Sequence, residues 1–142
     1  MEATLKAWVI VYRHIDNNLE LLLLKPNPEP GLNYDYYVIT GGVENNETPK
    51  QAAVRETEEE IGAKPQITLD LQIQMKYSYG NPSKDVVEVC FAIKIDDSEL
   101  ILNEEHIGYK WVSIDEFEKE IWWEGPRDQL KRIINKFQNL VG

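Results

Sequence analysis

The alternation of apolar and polar residues is most regular in the middle of the chain. Between residues 67 and 79 every second position is apolar, which is the period of a long β-strand with one buried face. These positions are Ile67, Leu69, Leu71, Ile73, Met75, Tyr77 and Tyr79. Residues 79–82 predict a turn. A second alternating run predicts the matching face of a return strand at Val87, Val89, Phe91, Ile93 and Ile95.

Apolar runs near the start of the chain predict further strands. Two runs, Leu5–Tyr12 and Leu19–Lys25, are apolar enough for central strands, and residues 16–18 (Asp-Asn-Asn) between them are typical of a hairpin turn. A loop is expected from Pro26 to about Tyr34. Residues 36–40 then form a strand that leads into a polar, glycine-containing segment.

Residues 48–62 carry the signals of a helix with defined ends. Thr48 is a favourable N-cap, Pro49 fits the first helical position, and Gln51 stands where it can complete a capping box. Gly62 supplies the stop. The sequence therefore predicts both boundaries of this helix.

A second, amphipathic helix is predicted at the end of the chain. Its apolar residues recur at helical spacing, at Leu130, Ile133, Ile134, Phe137 and Val141. An acidic stretch from Asp115 is a further helix start. Strands combined with these helices suggest an α/β protein in which a mixed sheet lies between helical layers (α/β/α).

The predicted helix at 48–62 presents three carboxylates on one face. Glu56 and Glu60 are one turn apart and Glu59 lies beside them, so their like charges repel unless a positive group lies between them. Oxygen ligands of this kind suit Mg²⁺ or Mn²⁺, which also bind the phosphates of substrates. This face is therefore a candidate metal site.

The segment before the helix fits such a site. Gly41 and Gly42 follow an apolar strand end, and they let the backbone pass close to a metal or a phosphate. Asn46 tolerates a left-handed conformation, so the loop can be tight without another glycine.

Composition limits the classes of function. A chain of 142 residues with 42% apolar content predicts one domain, residues 1–142. The charge of −10 argues against nucleic acid as a partner, although bound divalent cations would allow a polyphosphate substrate. The single Cys90 favours a reducing compartment and a core position. No segment has the length of a membrane span or the build of a signal peptide, and we expect a cytoplasmic protein.

The segment from Gly41 to Ala63 resembles the Nudix box. That pattern is a glycine, five residues, Glu, seven residues, Arg-Glu, an apolar residue, any residue, Glu-Glu, any residue, Gly and an apolar residue. Its fixed positions are filled in register by Gly41, Glu47, Arg55, Glu56, Glu59, Glu60 and Gly62. Thr57 and Ala63 are weaker fits at apolar positions, which concerns packing and not charge.

The resemblance to the Nudix family implies the Nudix fold and metal-dependent hydrolysis of a nucleoside diphosphate linked to another group. It places the metal on Glu56, Glu59, Glu60, the carbonyl of Gly41 and Glu105. The general base is Glu59 or Glu105, with Glu56 also open. Arg55 and Glu47 brace the loop and the helix.

A second segment, Glu104–Trp111, resembles Nudix enzymes that act on dinucleoside polyphosphates, dATP or dihydroneopterin triphosphate. In this segment Glu105 matches their metal ligand or base, and His106 is expected to orient substrate or to be structural. Diadenosine tetraphosphate, dATP or another NTP, and dihydroneopterin triphosphate are the leading substrates. Tyr36, Lys76 and Tyr109 are candidate substrate contacts, and Tyr37 beside Tyr36 could also offer a stacking surface.

Alternatives remain open for the function and for the assembly. The domain could bind a nucleotide without hydrolysing it, as a sensor, or it could be an acidic metal-binding domain that binds metal without hydrolysis. Trp122 and Trp123 could form a homodimer interface or pack the last helix onto the sheet, so the chain is a monomer or a homodimer.

Overall fold

A mixed six-stranded sheet forms the centre of the molecule. The computed structural model describes residues 3–28, 36–96 and 99–142, so most of the predicted loop after Pro26 lies outside the described residues. The strands are β1 (Thr4–Ile15), β2 (Asn18–Pro26), β3 (Ile39–Gly42), β4 (Ile67–Tyr79), β5 (Lys84–Lys94) and β6 (His106–Val112). Their order is β4-β5-β1-β2-β6, and β3 pairs with β1. The β1–β5 pair is parallel and the other pairs are antiparallel.

Three helices cover the two faces of the sheet. They are α1 (Pro49–Ile61), α2 (Ile114–Glu120) and α3 (Arg127–Val141). Helices α2 and α3 pack on one face, around Trp8, Phe117 and Phe137, and we call this the first core. Helix α1 packs on the other face, around Val9 and Phe91, in the second core. The predicted α/β/α architecture is confirmed.

The turn between β1 and β2 follows directly from its sequence. Asp16 and Asn17 have φ angles of 49° and 69°, which is the left-handed backbone that a two-residue hairpin requires. Asn18 already pairs with Ile15. The predicted hairpin is confirmed, and it is one residue shorter than expected.

The alternating runs of β4 and β5 do not form one shared face. The buried β4 residues Leu71, Ile73 and Met75 lie in the first core, whereas Val89, Phe91 and Ile93 of β5, and Ile95 directly after it, lie in the second. The expectation of matching faces was wrong because β5 is a central strand that is buried on both sides. Its first-core residues are Cys90 and Ala92, which do not stand out in an apolar pattern.

A β-bulge also interrupts β4. The pairing register with β5 shifts between Asp70 and Gln74, and Gln72 has a φ angle of 56°. The N–H of Gln72 donates to Oδ1 of Asp70 at 2.7 Å, which holds the bulge. Strict alternation in the sequence gave no sign of it.

The tryptophan pair packs against the body of the protein. The ring centroids of Trp122 and Tyr37 are 5.4 Å apart, and those of Trp123 and Trp8 are 6.1 Å apart, both in edge-to-face geometry. This arrangement agrees with the packing alternative for these residues. Among the described residues, no helix is both long and apolar enough to cross a bilayer.

We predict that Phe137→Ala lowers the free energy of unfolding by about 3–5 kcal/mol, because the ring is fully buried and meets Tyr12 edge-to-face at 5.3 Å. Urea denaturation measures the change. Leu140→Ala, on the same helix but 48% exposed, is the control and costs less than about 0.5 kcal/mol. Equal losses would contradict the predicted inward face of α3.

Candidate active site

Helix α1 begins and ends as its sequence predicts. Oγ1 of Thr48 accepts the N–H of Gln51 at 3.1 Å, and Oε1 of Gln51 accepts the N–H of Thr48 at 2.8 Å, so the capping box is complete. Gly62 ends the helix at a φ angle of 65°, and its N–H donates a hydrogen bond to the carbonyl of Glu58. These two caps fix the positions of the glutamates along the helix.

Strand β3 reaches α1 at Gly41. A Cβ atom at this position would lie 2.1 Å from Cδ of Glu56, far inside contact distance, whereas a Cβ at Gly42 would meet no atom within 4 Å. The first glycine is therefore needed for the Glu56 carboxylate to lie against the backbone. The sequence predicted that the backbone at Gly41 and Gly42 passes close to another group, and in the structure that group is the carboxylate of Glu56.

Arg55 connects the loop before α1 to the carboxylates on the helix. Its guanidinium donates to both oxygens of Glu47, at 2.8 and 3.0 Å, and to the carbonyl of Gly42 at 2.9 Å. It also donates to Glu56 at 2.9 Å and to Glu59 at 3.3 Å. The hydrogen bonds from Arg55 lower the pKa of Glu47 to about 2, and Glu47 in turn raises the pKa of Arg55. This geometry agrees with the bracing role predicted for Arg55 and Glu47.

The third helix carboxylate lies in a different environment. Glu60 is 4% exposed, and its Oε1 is 2.7 Å from Nε2 of His106 on β6. Its Oε2 is buried without a hydrogen-bond partner, as is Nδ1 of His106. Burial raises the pKa of Glu60 well above the ordinary range; the hydrogen bond to His106 opposes that rise, and the charges of Glu56 and Glu105 add to it.

Glu105 completes a cluster of three possible ligands. One ligand atom from each of Glu60, Glu105 and His106 lies within 4.8 Å of the others. Asn103 positions Glu105, because its Oδ1 accepts the N–H of Glu105 at 3.1 Å and its own N–H donates to the carbonyl of Glu60 at 3.1 Å. The N–H of Asn27 donates to the carbonyl of Glu105 at 2.8 Å, which ties the end of β2 to the same loop.

The cluster opens into a cleft of about 490 Å³, a volume common for small-molecule sites. Its other walls come from the end of β2, from residues 37–40 and from the loop before β6. The lining residues are Leu24, Pro26, Asn27, Tyr37, Val38, Thr40, Glu60, Glu104, Glu105 and His106. Polar and apolar groups therefore face one cavity beside the candidate metal ligands.

The structure brings only part of the predicted ligand set together in this cleft. Glu60 and Glu105 meet there, and Glu56 lies against Gly41 with one oxygen on Arg55. The side chain of Glu59 is 57% exposed and pairs with Arg55, outside the cleft lining. His106, which sequence reasoning treated as orienting or structural, contacts Glu60 directly.

The three predicted substrate contacts do not line the cleft. Tyr36 packs on the first core beneath the ammonium group of Lys110, 4.2 Å from the ring centre, and its neighbour Tyr37 lines the cleft instead. Lys76 is on β4, at the edge of the sheet opposite β6. Tyr109 is on β6 and 39% exposed, outside the lining. Residue type alone could not distinguish Tyr36 from Tyr37.

The sequence profile of the NUDIX domain matches residues 4–133. The chain belongs to the Nudix family. The match includes the box and the loop that carries Glu105, and it confirms the family predicted from the sequence. Family membership supports the predicted enzyme class, a pyrophosphohydrolase.

Two Nudix structures share this fold across nearly the whole chain. The C. elegans Ap4A hydrolase, solved as a binary complex, is 21% identical with a TM-score of 0.75, and the match covers 98% of each chain. The E. coli dihydroneopterin triphosphate pyrophosphohydrolase is 21% identical with a TM-score of 0.69, covering 92% of this chain and 95% of that one. At this level of identity the similarity shows the fold.

A sequence relative is much longer than this Nudix chain. An octanoyltransferase of Myxococcus xanthus is 33% identical over 114 residues, which are 79% of this chain and 31% of that protein. The chain thus spans about a third of the length of this curated relative.

We predict that Gly41→Ala weakens Mn²⁺ binding by at least about 10-fold, because the added methyl group displaces Glu56. Isothermal titration calorimetry measures the affinity. Stability should change little, since the displaced atoms are the end of a flexible side chain. Gly42→Ala is the matched control and should bind Mn²⁺ like wild type; equal affinities for all three proteins would refute the role of Gly41.

We also predict a pH-dependent stability difference between wild type and Glu47→Gln. Since the folded-state pKa of Glu47 is about 2, below its ordinary value of 4.5, its stabilising effect is complete above pH 4.5 and is lost as the pH falls towards 2. Urea denaturation at several pH values between 3 and 7 tests this. In an Arg55→Gln background the difference should disappear; a difference that persists there would assign the effect to another partner.

Proposed function

We propose that this protein hydrolyses a phosphoanhydride bond in a nucleoside polyphosphate or a similar compound, by attack of water on phosphorus. The observation that carries the proposal is the cluster of Glu60, Glu105 and His106 at the wall of the cleft, next to the Nudix helix. Nudix hydrolases need divalent metal ions, and the carboxylate oxygens of Glu60 and Glu105 suit a hard cation.

The residues present fit a metal ion. The unpartnered, buried Oε2 of Glu60 is a carboxylate oxygen without a hydrogen-bond donor, which is what a cation would satisfy. Glu60 and Glu105 would hold the ion, with Glu56, the carbonyl of Gly41 and, after a change of rotamer, Glu59 as further ligands. When bound, Mg²⁺ or Mn²⁺ would screen the charge of the phosphates and polarise the bond under attack.

Glu105 is the best-placed general base. It lines the cleft and is held by Asn103, so one oxygen of its carboxylate could hold the ion while the other accepts a proton from a water molecule beside the substrate. Glu59 and Glu56 are less available for this role, because both accept hydrogen bonds from the charged guanidinium of Arg55, whereas the donor to Glu105 is the neutral amide of Asn103. His106 positions Glu60 through their 2.7 Å contact.

The substrate contacts that the cleft supports differ in part from those expected from the sequence, because Tyr37 lines it and Tyr36, Lys76 and Tyr109 do not. Tyr37 and Val38 offer apolar surface for a base or a pterin, and Asn27 and Thr40 offer polar contacts. Diadenosine tetraphosphate, dATP or another NTP, and dihydroneopterin triphosphate are our leading substrates. The fold shared with an Ap4A hydrolase and a dihydroneopterin triphosphate pyrophosphohydrolase supports this choice.

The test is a screen of these substrates with Mg²⁺ and Mn²⁺, using Glu60→Gln and Glu58→Gln. Both substitutions change the same chemical group on α1, but Glu60 lies in the cleft and Glu58 is exposed. We expect turnover by wild type and Glu58→Gln, and a loss of at least about 100-fold in Glu60→Gln with unchanged thermal unfolding.

Two results would reject this proposal. Turnover by Glu60→Gln at the wild-type rate would show that Glu60 is not needed for hydrolysis. Tight nucleotide binding by the wild type without turnover of any candidate would instead favour the noncatalytic sensor.

A further inference from the structure

A second depression lies on the opposite side of the sheet from α1. We call it the α3 groove; it runs between α3 and the bulge of β4 and has a volume of about 420 Å³. Its polar lining includes Asp128, Lys131, Arg132, Asn135 and Lys136 from α3 and Gln72 from the bulge. It shares no lining residue with the cleft.

The charge of the α3 groove is opposite to that of the chain. The chain carries a net charge of −10, whereas the groove has three cations, Lys131, Arg132 and Lys136, and one carboxylate, Asp128. Within the part of the chain that the structure describes, none of these cations forms a salt bridge. An excess of unpaired positive charge in a concave site attracts anions.

The groove also has a fixed polar wall. Gln72, a non-glycine residue at a φ angle of 56°, lies in the bulge and lines the groove. Its N–H donates a hydrogen bond to the carboxylate of Asp70, which holds the backbone in place. Backbone in this sparsely populated region is costly and is found where the surroundings impose it, often at functional sites. The amide groups of Gln72 and Asn135 add neutral hydrogen-bond donors beside the cations.

The spacing of the cations indicates the type of anion. Lys131, Arg132 and Lys136 fall within about 7.5 Å along the helix axis, at 1.5 Å per residue. A chain of two or three phosphates places three or more negative charges within such a length, whereas an extended acidic peptide places two, because the carboxylates on one side of it are about 7 Å apart. A compact oligophosphate therefore matches this cluster better than a peptide does.

We propose that the α3 groove binds the oligophosphate group of a small phosphorylated molecule, at a site separate from the cleft. Phosphate oxygens accept hydrogen bonds from Lys131, Arg132 and Lys136, while the amides of Gln72 and Asn135 complete the shell. The proposal does not depend on hydrolysis, because it concerns only binding on the other layer of the sheet.

The experiment is calorimetric titration of the whole protein with inorganic tripolyphosphate, and in parallel with ATP, in buffer containing EDTA. Without a metal, the carboxylates of the cleft repel both probes. The groove variant is Lys131→Gln with Lys136→Gln, which keeps good helix formers on α3. The matched control is Lys50→Gln with Lys119→Gln, two exposed lysines whose replacement changes the net charge equally.

We expect the groove variant to bind at least about 10-fold more weakly than wild type, for one or both probes, and the control and Glu60→Gln to bind like wild type. If the groove variant loses affinity for ATP but not for tripolyphosphate, the site is still supported, and part of the contact is assigned to the nucleoside. The proposal is overturned if wild type binds neither probe, if the control loses as much affinity as the groove variant, or if Glu60→Gln alters binding. Loss of hydrolysis in that last variant would leave the groove result unaffected.

Discussion

The carboxylates of α1 are held by a guanidinium on the same helix and by an imidazole on β6. Glu56 and Glu59 share the guanidinium of Arg55, and Glu60 is paired with His106 from β6. Like charges one turn apart would otherwise weaken the helix. Because Arg55 also holds both oxygens of Glu47, the same guanidinium that neutralises the helix fixes the loop in front of it.

This arrangement has a consequence for any cation that enters the site. The carboxylate of Glu56 already accepts a hydrogen bond from Arg55, so an ion would compete with the guanidinium for it. Glu60 differs, because His106 contacts Oε1 and leaves the buried Oε2 without a partner. Oε2 of Glu60 is therefore the natural first contact for an ion, and His106 can keep its own contact with Oε1.

Local features of the fold and the site could be predicted from the sequence, and features that depend on distant strands could not. The caps of α1 and the hairpin at residues 16–17 depend on a few neighbouring residues, so their signals are complete in a short segment. By contrast, His106 meets Glu60 across 46 positions, and they are brought together by the pairing of β6 with β2 and by the hydrogen bond from Asn103 to the end of α1. The faces of β5 were misjudged for the same reason, since burial on both sides removes the alternation that identifies a face.

The parallel pairing of β1 with β5 has a consequence for synthesis of the chain. One edge of β1 is covered early, because β2 and β3 are its neighbours there, but in the part of the chain that the structure describes the other edge pairs with residues 86–94. During translation, one edge of the apolar strand β1 therefore stays unpaired until residues 86–94 have emerged from the ribosome. The unpaired N–H and C=O groups of such an edge can pair with strands of other chains, which leads to aggregation. The nascent protein is consequently most exposed to aggregation, and most in need of a chaperone, before translation reaches β5.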